Sequence, residues 1–189
     1  MFRKLALLIL LLGALAAAGY KEFAWGLSPA QVTAVVPDLR ASSPDTPPPD
    51  EFFALSRLLF PKLITFGVEQ TDKKLFAPEQ KRAAYSSKDR ALIFYFEEEK
   101  LFGVAVDFSG VNPYTELAGK YGARTKTRFL RGNNYAYDAC LWVIPERVIF
   151  YSGMVLKPGF GNVYYFDPQW LLALQQKLQG APAEASRID

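Results

Sequence analysis

Between residues 92 and 108 apolar side chains recur at alternate positions: Leu92, Phe94 and Phe96, then Phe102, Val104, Val106 and Phe108, with Glu97-Glu98-Glu99-Lys100 between the two runs. Period two places neighbouring side chains on opposite faces of a strand, so the segment reads as a hairpin with a solvated acidic tip. A second alternating set covers 124–130, turns at Gly132-Asn133-Asn134 and continues over 135–144. Pro145-Glu146 turns the chain into 147–152, and 157–161 turns it into 162–166. Connections this short admit only adjacent antiparallel partners, which predicts a meander of about five to seven strands.

Elsewhere the apolar period lengthens towards that of a helix. Ser28-Pro29, Asn112-Pro113 and Asp167-Pro168 each place a side-chain oxygen at an N-cap and proline at the first helical position, where its missing N–H costs nothing. Gln31 completes a capping box with Ser28, and Pro37 stops that helix. The second helix is predicted over 113–121, ending at Gly122. The third is predicted over 168–179, with Trp170, Leu171, Leu174 and Leu178 on one side. A fourth, over 51–60, aligns Phe52, Leu55 and Leu59 behind Asp50 as cap. The expected fold class is therefore α+β: an antiparallel meander with three or four short helices packed on one face.

The N-terminus carries a different signal. Arg3 and Lys4 precede an uncharged apolar stretch, and Ala16-Ala17-Ala18 supplies the small residues a signal peptidase cuts after. As a helix, residues 5–20 span about 24 Å, short of the roughly 30 Å hydrocarbon core of a membrane. Residues 1–18 are thus expected to be a cleaved signal peptide of bacterial type. That reading gives a periplasmic or secreted protein with no transmembrane span after cleavage. Residues 19–180 form the single expected domain, and 181–189, without an apolar period, a flexible tail. The stretch 37–61 holds six of the 13 prolines, and 37–50 is read as a stiff, exposed loop.

Composition narrows the chemistry. Half of the 189 residues are hydrophobic, enough to fill a core. There is no histidine and one cysteine, which removes imidazole-assisted nucleophiles, imidazole metal ligation and CxxC cradles; no metal or cofactor is expected. Formal charge is +3, but loss of Arg3 and Lys4 leaves 20 basic against 19 acidic residues, so nucleic acid is not an expected partner. Cys140 shares a strand face with Ala136, Asp138, Trp142 and Ile144 and reads as core rather than nucleophile.

Three local features carry functional expectations. Lys120, Arg124, Lys126, Arg128 and Arg131 form the densest basic run; on a strand, 124, 126 and 128 project from one face and suit an envelope protein, an anionic glycan or a lipid headgroup. Asp107 and Asp138 each interrupt or end an apolar strand face, the minimum for a carboxylate-dependent hydrolase of an envelope polymer. The 28 aromatic residues allow a small-ligand carrier with an aromatic pocket. With no catalytic constellation in view, the leading expectation is a non-enzymatic binding or assembly module.

Phe23-Ala24-Trp25-Gly26-Leu27-Ser28 followed by Val32 resembles the G-x-S/T-x-x-x-V opening of small exported bacterial modules, among them outer-membrane-assembly lipoproteins and β-lactamase-inhibitor-like domains. Tyr85, Ala91-Leu92-Ile93-Phe94 and Lys100-Leu101 are similar to their strand pattern. Val36-Pro37-Asp38 stands where those families carry Leu-Gly-x-Pro, and the lipid-bearing cysteine is missing. The resemblance implies an exported α+β interaction module and transfers no site residue.

Overall fold

A computed structural model describes residues 19–42, 55, 58, 82–88, 91–131 and 135–180. The expected signal peptide, the tail, the cap at Asp50 and most of the 51–60 helix lie outside the described residues, as does the loop beyond 42; Leu55 and Leu58 are helical. The described chain runs β1 Gly19–Tyr20, β2 Phe23–Ala24, α1 Pro29–Val35, β3 Arg40–Ser42, β4 Arg82–Ser86, β5 Leu92–Glu97, β6 Lys100–Ser109, α2 Tyr114–Tyr121, β7 Thr127–Arg131, β8 Tyr135–Ile144, β9 Arg147–Met154, β10 Phe160–Phe166 and α3 Pro168–Gly180.

Strands β3 to β10 form one antiparallel sheet of eight, in the order β3-β4-β5-β6-β10-β9-β8-β7, and β1 and β2 make a separate small ribbon. The sheet is two four-stranded meanders whose last strands pair with each other, Val106 opposite Val163 at the centre of that seam. The α+β expectation holds broadly, with more strands than expected. One of the additional strands, β3, lies in the proline-rich segment read as loop; its Arg40, Ala41 and Ser42 pair with β4.

Helices cover both faces rather than one. Leu171 and Leu174 of α3, with Leu55, pack on Tyr95, Ala105, Ala139, Phe150 and Tyr164. On the other side, Val32 of α1 meets Phe94, Phe96 and Val104, while Leu117 of α2 meets Cys140, Trp142, Ile149 and Tyr151. Both sheet faces are apolar, so the sheet buries each under a layer of its own; fully burying one such side chain contributes about 1.5–3 kcal/mol.

The helix starts follow their caps. Ser28 accepts from the Gln31 N–H at 3.3 Å while the Gln31 side chain accepts from the Ser28 N–H at 2.9 Å. Asn112 Oδ1 accepts from the Tyr114 N–H at 2.9 Å, and α2 begins one residue later than expected. Asp167 Oδ1 accepts from the Gln169 N–H at 2.9 Å.

Two strand expectations need correction. In β6 a bulge after Tyr95 pairs Phe96 with Leu101 and Tyr95 with Gly103, leaving Phe102 without an opposite residue. The extra residue reverses the alternation, so Leu101 joins Val104 under α1 and Phe102 turns to the α3 face. The strand expected from 124 begins only at Thr127, opposite Ala139. Before it, side chains occupy the backbone: the Trp142 indole N–H donates to the Gly122 carbonyl at 2.7 Å and the Tyr114 hydroxyl to the Arg124 carbonyl at 2.7 Å. Among the described residues, no helix is long and apolar enough to cross a membrane.

Candidate functional site: the basic β7 edge and the Trp170 pocket

From 117 to 131 the sequence holds five basic residues and no acidic one. The structure places Lys120 in the last turn of α2, Arg124 and Lys126 on the irregular link to β7, and Arg128 within β7, the edge strand of the sheet. All four are exposed. Arg131 ends β7 opposite Tyr135. The stripe is thus a basic surface along helix end, link and edge strand rather than one strand face.

Its cations are positioned by aromatic rings and one carboxylate. Lys126 Nζ lies 4.2 Å from the centre of the Tyr114 ring, and Lys120 Nζ lies 5.2 Å from that of Tyr121. Such contacts are worth about 0.5–1 kcal/mol on a surface and leave the ammonium wet on its outer side. Arg128 Nε donates to Asp138 Oδ1 at 3.1 Å, an exposed pair of small energetic worth that fixes the guanidinium against β8. Asp138 therefore serves the basic surface.

Asp107 does not join it. Asp107 follows Ala105 on the α3 side of the sheet, whereas Asp138 precedes Cys140 and Trp142 on the α2 side. The two carboxylates considered for hydrolysis lie on opposite faces and share no site. Cys140 is 1% exposed, with its thiol 3.7 Å from the Thr125 carbonyl oxygen. Burial, aided by Asp138 and opposed by Lys126, pushes the thiol up to about 11, so it is neutral at physiological pH and a poor nucleophile.

A second place was invisible in the sequence. A cavity of about 280 Å³ opens beside the β5–β6 turn, lined by Gly26, Glu97, Glu98, Lys100, Phe102, Asp167 and Trp170, among others. The bulge brings Phe102 here, and its ring stacks on Trp170 with centroids 4.0 Å apart and planes inclined by 18°. Arg82 lies 5.6 Å from the centre of the Trp170 ring and forms a 3.5 Å ion pair with Glu97. The Trp170 indole N–H also donates to Glu97. Glu97, read as part of a solvated tip, is instead a half-buried anchor; Glu98 and Glu99 form the tip and take positive φ of 50° and 62°. Burial raises the Asp167 carboxyl above its ordinary range despite N–H donors from Gln169 and Trp170, and it lowers the Arg82 guanidinium against the pull of Glu97. The Phe102 and Trp170 positions were legible only as strand and helix apolar residues, since nothing in a linear sequence pairs residues so far apart.

Among the described residues, no group of His, Cys, Asp or Glu could hold a metal ion. Compared with protein-family models, with curated proteins and with solved structures, the chain matches none.

Proposed function

We propose that this chain is an exported bacterial envelope protein that acts by binding rather than catalysis, and that its basic β7 surface receives an anionic partner. The observation that carries the reading is the unbroken run of exposed cations from Lys120 to Arg128, with no acidic residue between 117 and 131. An acidic protein face, an anionic glycan or a lipid headgroup each meets that chemistry.

The binding test is elution from a sulfated-polysaccharide column. The double variant R124E/K126E is expected to elute at distinctly lower salt than the parent, with a melting temperature lowered by no more than about 2–4 °C, because both side chains are exposed and the change gives up only the Lys126 contact with the Tyr114 ring. Equal elution salt would remove this surface as the site. For export, Tyr20 is already a core residue on Tyr165, at 4.5 Å between ring centres, so the described core begins directly after the expected cut at Ala18. N-terminal sequencing of periplasmic protein is expected to begin at Gly19; an intact N-terminus in the cytoplasmic fraction is the contrary result.

A second reading, a small-ligand carrier, is favoured by the Trp170 cavity. Native mass spectrometry of the purified protein is expected to show a retained adduct on that reading, and a bare mass counts against it.

A further inference from the structure

Strand β8 is longer than its outer neighbour. β9 pairs with it from Tyr137 to Ile144, whereas β7 pairs only from Tyr135 to Ala139. Backbone groups of successive residues in an antiparallel strand point to alternate sides. The Ala136 carbonyl accepts from the Val155 N–H, so even-numbered residues of β8 address β9 and odd-numbered ones address β7. Leu141 and Val143 therefore each direct an N–H and a C=O outward, past the start of β7. No backbone group of the described residues pairs with them there. Val143 is 61% exposed. Edge strands ordinarily carry charge or proline against stray pairing, yet Leu141 to Ile144 carry neither.

The stretch is open because the link that would continue β7 is drawn over the α2 face. The Gly122 carbonyl is held by the Trp142 indole and the Arg124 carbonyl by the Tyr114 hydroxyl, and the Thr125 carbonyl lies 3.7 Å from Cys140 Sγ. The cations of the link thus stand beside the open stretch. Lys126 Nζ sits on the Tyr114 ring, whose centre is 6.1 Å from that of Trp142. Unlike Arg128, neither Arg124 nor Lys126 joins an ion pair among the described residues. Between 139 and 152 the one acidic residue, Glu146, is followed by Arg147.

We propose that the open edge of β8 takes up a short, extended, acidic segment of a partner protein. The segment adds as a strand outside Leu141 and Val143 and sets carboxylates against Arg124 and Lys126. Unpaired backbone donors and acceptors select a peptide over a glycan or a headgroup, and the unpaired cations select one that carries carboxylates. A second copy fits less well: paired antiparallel over 141–143, its own β7 runs into the Pro145-Glu146 turn of the first. The inference rests on the basic-surface reading and narrows its partner to an acidic protein.

The probe is the peptide acetyl-Asp-Val-Asp-Thr-Asp-Val-amide, with a Lys-for-Asp peptide as control. Amide exchange read by NMR is expected to be fast at Leu141 and Val143 in the free protein. The acidic peptide slows both, and the basic one slows neither. Val143→Pro removes one outward N–H at an edge position that tolerates proline, and is expected to weaken peptide binding by about tenfold. Val143→Thr keeps the N–H and binds like the parent. V143P still elutes from the sulfated-polysaccharide column at the parent's salt, because the cations are untouched.

Unchanged exchange at Leu141 and Val143 with the acidic peptide overturns the proposal, as does parental peptide affinity in V143P. Protection that rises with protein concentration alone also overturns it, since a second copy then fills the edge. If the peptide leaves the edge unprotected while R124E/K126E still elutes early, the strand assignment falls and the basic surface stands.

Discussion

Cys140 shows how position within the sheet governs the chemistry of a side chain. Its face of β8 was legible in the alternation from Ala136 to Ile144, and burial follows because that face lies under α2. The fold holds the thiol neutral well above its ordinary 9.0. Its contribution to stability is complete below about pH 9, where the unfolded chain is also neutral. It is lost as pH rises from about 9 to about 11, where only the unfolded thiol ionises. Native protein at pH 8 is expected to leave an aromatic disulfide reagent almost uncleaved, with one equivalent released on denaturation; rapid native reaction contradicts the burial. Glu97 is the opposite case. Its partners Arg82 and Trp170 are 15 and 73 residues away in sequence, so the acidic run around it displayed only the tip. Gly103 marks the same region: a Cβ there meets Phe166 Cδ1 at 2.9 Å. Gly103→Ala is expected to destabilise by about 1–3 kcal/mol in urea titration, because Phe166 is hemmed in by Trp170 and Tyr164.

At the scale of elements, local signals with a local cause were read well. The capping box at Ser28, the proline starts and the long alternation of β8 each depend on neighbours a few residues away. Three features were not legible because their causes are non-local. The bulge at Phe102 is hidden where Leu101 and Phe102 are both apolar, and β3 appears only when β4 supplies its partner. The cations at 124 and 126 are held off the strand by Trp142 and Tyr114. The α3 cap gives a test at this scale. Asp167 supplies the N-terminal acceptor, but burial disfavours its charged form. Asp167→Ala removes the acceptor and is expected to cost about 1 kcal/mol, a fall of about 2–4 °C in melting temperature for a chain of this size. Asp167→Asn keeps an acceptor and deletes the charge, so it is expected to match or exceed the parent at neutral pH. That advantage shrinks as pH falls through the raised carboxyl range, where the parent's Asp167 becomes neutral too.

Across the whole molecule, each half of the sheet is a four-stranded meander with a helix before it, and among the described strands the halves pair only between β6 and β10. Such a design could open at its seam, but the side chains argue otherwise. Tyr165 of β10 packs against the cluster under α1 and against that under α2, and the Trp25 indole N–H reaches the Glu146 carbonyl at 3.1 Å, tying the segment after β2 to the β8–β9 turn. On the other face one cluster runs from Ala84 on β4 to Ala139 on β8 without a break at the seam. A loss of packing in one half is then felt in both. Phe94, fully buried in β5, offers the perturbation: Phe94→Leu removes aromatic contact with Phe23, whose ring centre lies 4.9 Å away, and is expected to cost about 1–3 kcal/mol. Native-state hydrogen exchange reads where that cost appears. If the molecule opens as one unit, the slowest amides of β9 lose the same protection as those of β5, although the apolar cluster around Phe94 includes no described residue of β9. Protection lost in β5 and retained in β9 means that the β6–β10 seam separates two independently opening halves.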